Sequence, residues 1–331
     1  MTGSKTDEEI KRFEQILDQN QIPGVEITKA TDYLYQLNPK EPLFAKGWEK
    51  DFPLTVMAVT HGNEVGGIGV LNRFIELLSE GLFTLPYPMM LGLGNTAASR
   101  ENCRYLDRDL NRSFAMSQPD DTRESLRARD LEPFLKHTAF FLDIHQTIEP
   151  TERPFFIFPY RPEGYEFARG IADDIPIVTH WGKGFSADGA CTDEYVNRSG
   201  GVGISVELGQ KGFDPYQESL GLNLVLAACK TVKRKLEGSF VPVQKPKDDV
   251  YTWAHVIPFP EGSAGLDEGW YNFKTVRRGE RLGYVGDDEI KAPVEGPIMF
   301  PKYRRQESGG QTPKEICRIL KRVSENELGK T

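Results

Sequence analysis

His61 and Glu64 stand three residues apart, directly after the apolar run Leu54-Thr-Val-Met-Ala-Val-Thr60. Imidazole plus carboxylate, with one further histidine from elsewhere, is the ligand set of a catalytic zinc that keeps a position open for water. His145 closes a second apolar run, Phe140-Phe-Leu-Asp-Ile, and is the candidate third ligand. His180 follows Ile177-Val-Thr and is its competitor, whereas His137 and His255 have weaker contexts. Plainer roles stand beside these: a capping or core-edge histidine at 61, a hydrogen-bonded strand end at 145.

Two other patches could serve such a centre. The stretch from Glu101 to Arg112 is polar and carries Arg104, Asp109, Asn111 and Arg112. A run of this kind is a solvated loop or an anion site. Arginine suits the second role, because its fork grips carboxylates and can hold a developing oxyanion. Asn111 can add an amide donor, and Asp109 can hold the second nitrogen of a metal-bound histidine. Glu207 is embedded in the apolar run Ile204-Ser-Val-Glu-Leu208. A lone glutamate there is costly unless paired or functional. It is either one half of a structural ion pair or a general base, whose pKa partial burial would raise toward neutrality.

These side chains can meet only if the runs that carry them are neighbouring strands. Leu54–Thr60, Met89–Gly94, Phe140–His145, Ile175–Trp181 and Val202–Leu208 read as strands, the first as a buried strand of a parallel sheet. Open α/β sheets place their sites just past such strand ends, and Gly62 lets the backbone turn there. A shorter strand is expected near Tyr33–Leu37. Thr6 and Glu9 match a capping box ahead of Ile10, Phe13, Ile16 and Leu17. Further helices are expected over Val65–Ser79, over Asp121–Lys136, and from Asp214-Pro215 to Gly238. Residues 241–249 have the composition of a linker. From Val250 to Pro301 the segments are short, apolar and broken by Gly and Pro, as in a small all-β domain. Thr312-Pro313 is expected to open a last helix whose stripe is Ile316, Ile319, Leu320 and Val323. The division is a catalytic domain over residues 1–243 and a small β domain plus helix over 244–331.

The length of 331 residues allows one large and one smaller domain. A formal charge of -8 without a basic block argues against a nucleic-acid partner. The four cysteines lie far apart without a C-x-x-C pair, as expected of reduced intracellular thiols. No apolar run approaches the length of a membrane span, and the N-terminus is polar and acidic, so the expected location is the cytoplasm. A homo-oligomer is compatible with all of this.

Four motifs, His61-Gly-Asn-Glu64, Arg104 with Asp109-Leu-Asn111-Arg112, Asp143-Ile-His145 and Val206-Glu207-Leu-Gly, follow one another between roughly residues 50 and 240. In these the chain resembles the succinylglutamate desuccinylase/aspartoacylase family, a branch of the zinc carboxypeptidase-like fold. The resemblance implies an α/β fold, a mixed, mostly parallel sheet flanked by helices. It implies zinc-dependent hydrolysis of the amide of an N-acylated amino acid, with one Zn2+ per chain on His61, Glu64 and His145. It gives Glu207 the general acid/base role and Arg104 the polarisation of the scissile carbonyl. Asn111 and Arg112 would bind a substrate carboxylate, and Asp109 would orient His61. Val276–Gly283 and Ala292–Ile298 are similar to β-barrel-sandwich modules of the lipoyl kind, and the family carries a comparable β domain at the mouth of its site. Members acting on acetylaspartate have a further arginine shortly before the catalytic glutamate; Arg198 stands one residue closer to Glu207 than that spacing. The alternatives are a metallocarboxypeptidase that releases a C-terminal residue and a non-catalytic zinc-binding relative.

Overall fold

The computed structural model describes residues 2–44, 50–180, 189–242, 249–259, 264–303, 314–323 and 327. The elements begin with helix α1 (Thr2–Asp18), strands β1 (Val25–Thr31), β2 (Leu34–Pro39) and β3 (Phe52–Ala58), helix α2 (Gly66–Ser79) and β4 (Met89–Leu93). Then come the short helix α3 (Thr96–Arg100), α4 (Arg123–Lys136), β5 (Thr138–Thr147), β6 (Phe155–Pro159), α5 (Pro162–Ile171) and β7 (Ile177–His180). They are followed by α6 (Thr192–Arg198), β8 (Val202–Gln210) and α7 (Pro215–Leu236). The remaining strands are β9 (Val250–Pro258), β10 (Ala264–Leu266), β11 (Thr275–Val276), β12 (Arg281–Val285), β13 (Asp288–Lys291), β14 (Gly296–Met299) and β15 (Glu315–Arg322).

Alternation along the central strands explains the layering. In β3, Leu54, Val56 and Ala58 enter a core shared with α1, α2 and α7, while Met57 enters another shared with α4 and Val196 of α6. A strand covered on both faces reads as a nearly continuous apolar run. Ile68, Leu71, Phe74 and Ile75 of α2 are fully buried, and each contributes about 1.5–3 kcal/mol by leaving water. Asp214 caps α7 by accepting from the Gln217 N–H at 2.8 Å, as the Asp-Pro pair predicts.

A 12-stranded sheet runs in the order β1-β2-β4-β3-β5-β8-β6-β7-β9-β15-β14-β11, and β10-β12-β13 form a small second sheet. β4, β3, β5 and β8 are parallel neighbours, while β6 returns antiparallel to β8. The fold is thus mixed α/β with a parallel centre. Ala58 lies opposite Ile144, and His145 opposite Glu207. The strands preceding His61, ending near His145 and carrying Glu207 are therefore consecutive. β7 pairs with β9, so β9, β15, β14 and β11 extend the same sheet. Among the described residues no helix is long and apolar enough to cross a membrane.

Three local expectations change. β3 stops at Ala58, not Thr60, because Val59 takes a φ of 61° and leaves the extended conformation. α1 begins before Thr6, so Thr6 and Glu9 sit inside it and form no cap; Glu9 accepts from Asn72 instead. The stretch expected as a terminal helix is strand β15, hydrogen-bonded between β9 and β14. Its apolar spacing imitates a helix because both faces are covered. Ile316 and Ile319 pack with Ile257 and Ile298, whereas Leu320 packs with Tyr251 and Met299. A register shift falls between Ile319 and Leu320. Thr312-Pro313, where that helix was to start, and Trp181 lie outside the described residues.

Candidate active site

The turn after β3 brings His61 and Glu64 to the end of β5. Val59 is β-branched and buried, and its positive φ is a strained conformation, of the kind that collects at functional sites. Gly62 is required for a different reason from turning. A Cβ there would lie 2.5 Å from the Ala98 carbonyl carbon and 2.6 Å from the Cys103 oxygen. The Gly62 N–H donates to the Arg104 carbonyl at 2.9 Å, so the turn and the arginine loop lie backbone to backbone.

His61, Glu64 and His145 offer ligand atoms within 4.8 Å of one another, and all three residues are buried. Each histidine turns Nδ1 to a different oxygen of Glu64, both at 2.8 Å. Each Nε2 meets a carboxylate: Asp109 Oδ1 at 3.3 Å for His61 and Asp143 Oδ2 at 3.0 Å for His145. Carboxylates on the outer nitrogens fix the tautomer that leaves Nδ1 free for a metal. Arg104 Nη2 also lies 2.7 Å from His61 Nε2 and 3.3 Å from Asp109 Oδ2. With the proton on Nε2, Asp109 is the acceptor shared by the imidazole and the guanidinium.

The electrostatics favour positive charge at the centre. Burial works against ionisation of Glu64, but His61 and His145 outweigh it and hold the carboxyl far below its ordinary range. Burial likewise opposes ionisation of Asp109, and His61 and Arg104 reverse the balance. For His145, burial disfavours the charged ring, yet Asp143 and Glu64 hold its pKa well above the usual value. Two imidazole nitrogens and a carboxylate oxygen, each imidazole backed by an acid, are a donor set that fits zinc.

Glu207 is 9% exposed, and its Oε2 has no hydrogen-bond partner among the described residues. Burial, with the charge of Glu64 second, pushes its carboxyl up to about 8. Asn111 Oδ1 accepts from the Thr192 N–H at 2.9 Å, which leaves the amide nitrogen as the donor side. Arg112 Nη1 donates to the Asn111 carbonyl at 2.6 Å and lies 3.0 Å from Cys191 Sγ.

Not every candidate joins the group. His180, at the end of β7, is outside the cluster of His61, Glu64 and His145. Burial pushes its pKa down to about 4, with Glu194 opposing and Arg318 assisting. Arg198 is half exposed and pairs with Glu194 at 2.8 Å. Asp143 was missed as a functional residue. Its carboxylate takes Thr60 Oγ1 at 2.9 Å and Thr192 Oγ1 at 2.5 Å besides His145. The signal was available, since residues two apart on a strand share a face.

Residues 53–234 match the succinylglutamate desuccinylase/aspartoacylase catalytic domain. The chain belongs to this family. It is 33% identical to a succinylglutamate desuccinylase of Yersinia pseudotuberculosis over 270 residues, covering 75% of this chain and 79% of that one. With a Serratia proteamaculans succinylglutamate desuccinylase it shares 28% identity over 217 residues, 60% of this chain and 63% of the relative. This chain thus spans less than two thirds of the Serratia protein. Among solved structures, a Vibrio parahaemolyticus protein described as a succinylglutamate desuccinylase superposes with a TM-score of 0.69 at 16% identity, covering 95% of both chains. Murine aminoacylase 3 gives 0.61 at 20% identity, covering 86% of this chain and 97% of that one. These likenesses show the fold that the family shares.

Proposed function

We propose that the protein is a zinc-dependent deacylase that hydrolyses the amide of a small N-acylated amino acid in the cytoplasm. The observation that carries this reading is the register of His145 with Glu207 on neighbouring strands. It sets a carboxyl oxygen that has no partner among the described residues beside the His61–Glu64–His145 cluster. His61, Glu64 and His145 would hold one zinc per chain. When bound, the metal polarises the scissile carbonyl and lowers the pKa of a water.

The chain's own groups do the rest. Glu207 takes the proton of the attacking water and returns it to the leaving amine; a zinc held beside it would draw its carboxyl down from about 8, toward the ionised form that this role needs. Arg104 donates to the oxyanion as the carbonyl becomes tetrahedral. The Asn111 amide and Arg112 bind the carboxylate of the substrate. Asp109 and Asp143 keep the two imidazoles in one tautomer and orientation. The strands after residue 249 are read as the small domain that borders the mouth, against the catalytic domain of residues 1–243. Arg198, engaged by Glu194, is not assigned to the amino acid's side chain.

The test is a hydrolysis screen of the zinc-loaded protein over acetyl-, succinyl- and formyl-amino acids. Release of free amine in at least one series, lost in His145→Ala, is expected. A zinc-loaded protein that releases amine from no member refutes the reading.

A further inference from the structure

The substrate-facing residues Arg104, Asn111 and Arg112 sit on a segment with little regular structure, a single 3₁₀ turn at Leu110–Arg112. Such a segment holds its side chains in place only if its backbone is tied down elsewhere. Glu124, in the first turn of α4, is 1% exposed although it carries a carboxylate. Its Oε1 accepts from the Leu106 N–H at 2.7 Å and from Asn95 Nδ2 at 3.0 Å. Its Oε2 accepts from the Asp107 N–H at 3.1 Å and the Arg108 N–H at 3.2 Å. Four donors meet one side chain, and three are consecutive backbone amides between Arg104 and Asp109. The tie is reciprocal: Asp107 Oδ2 accepts from the Arg123 N–H at 2.9 Å, so the loop caps the helix whose glutamate caps the loop. Thr122, at the N-cap of α4, supplies no side-chain cap of its own. Asn95 follows β4 and caps α3 through the Ala98 N–H. The same glutamate thus joins the loop to the sheet end.

We infer that Glu124 is the positioning residue of the substrate loop, holding Arg104, Asn111 and Arg112 in place through the amides of residues 106–108. It touches neither substrate nor metal, and its catalytic consequence rests on the deacylase reading given above. A glutamine in its place offers one acceptor oxygen where two are used, and turns an N–H₂ group toward N–H donors. A buried carboxylate stripped of such partners is costly, and so are amides left without an acceptor. The local consequence is a freer loop. Misplacement of catalytic groups by about 1 Å can cost on the order of 10²-fold in rate.

The experiment compares wild type, Glu124→Gln and Val232→Ala. Val232 is buried in α7 within a core cluster that holds no residue of 104–112, so its truncation reports loss of stability away from the loop. Amide hydrogen exchange is followed in residues 104–112 and in β3, with zinc content, melting temperature, kcat and KM on the same preparations. Glu124→Gln is expected to speed exchange across 104–112 relative to β3, retain zinc, and lose about 10- to 100-fold in kcat/KM at a temperature where it is fully folded. Val232→Ala is expected to melt lower with exchange in 104–112 and kcat/KM close to wild type. Should Glu124→Gln not fold, Asn95→Ala removes one of the four donors and is expected to shift loop exchange in the same direction by less. Exchange of 104–112 in Glu124→Gln no faster than in Val232→Ala overturns the inference, whatever the activity. Faster loop exchange with unchanged kcat/KM overturns its catalytic consequence. A wild type without activity on any substrate sinks the deacylase reading and leaves the exchange result to decide the clamp.

Discussion

Replacing Glu207 by Gln separates proton handling from structural support. The side chain keeps its shape, and Oε2 accepts no hydrogen bond among the described residues, so the substitution breaks none there. Glutamine cannot take a proton from water. General acid–base groups contribute about 10²–10⁴-fold, equivalent to roughly 3–5.5 kcal/mol in the barrier. Turnover should fall by that factor while zinc content stays at wild-type level. Stability should move the opposite way. Burial raises the carboxyl from 4.5 to about 8, so between those values the folded chain holds a proton that the unfolded chain has released. Wild-type stability therefore falls as pH rises through that window, by on the order of 4–5 kcal/mol at most. Glutamine does not titrate and escapes the loss. Metal-stripped Glu207→Gln should melt at or above metal-stripped wild type near pH 8, with the gap closing toward about pH 5. The measurements are scanning calorimetry across pH on stripped protein and steady-state turnover on zinc-loaded protein. If Glu207 were one half of a structural ion pair, the variant would melt lower at neutral pH and turn over within a few-fold of wild type. That outcome would remove Glu207 from the chemistry.

Elemental analysis should find about one zinc per chain, lost in His61→Ala and in His145→Ala; full occupancy in both variants would refute the ligand assignment. Arg112→Ala should raise KM more than it lowers kcat, and Arg104→Ala the reverse, because a substrate carboxylate is present throughout whereas the oxyanion forms only in the transition state. Equal losses in one parameter would undo that division. Gly62→Ala should lower stability by about 1–3 kcal/mol through overpacking and reduce activity, since its Cβ would push on the backbone that carries Arg104. A variant with wild-type melting and kcat/KM would show that the two segments have room to part.

Much of the site was legible because its residues break an apolar pattern. His61, His145 and Glu207 are polar groups on or just past the β3, β5 and β8 runs, where burial without function is expensive. What the pattern could not supply was which strands are neighbours. The parallel order β3-β5-β8 is a tertiary fact, and it brings these groups together. Glu124 stayed hidden for the opposite reason: a glutamate near a helix start looks like ordinary surface chemistry, and only the fold buries it under four donors. β6 and α5 escaped notice because Phe155–Pro159 is short and Pro162 follows at once. β15 was misread because a strand covered on both faces can carry apolar residues at helical spacing.

The position of β15 has a bearing on how the molecule fails. It follows β11 and β14 along the chain, yet in the sheet it lies between β9 and β14, and the tie from β11 and β14 to the other sheet strands passes through it. If β15 detaches, the strands that hold His145 and Glu207 keep their neighbours, but β9 and β14 each gain a bare edge. Bare edges recruit strands from other chains. Mild heat or a protease cut near β15 should therefore show first as self-association, with the chemistry of the cleft still intact in the chains that remain in solution.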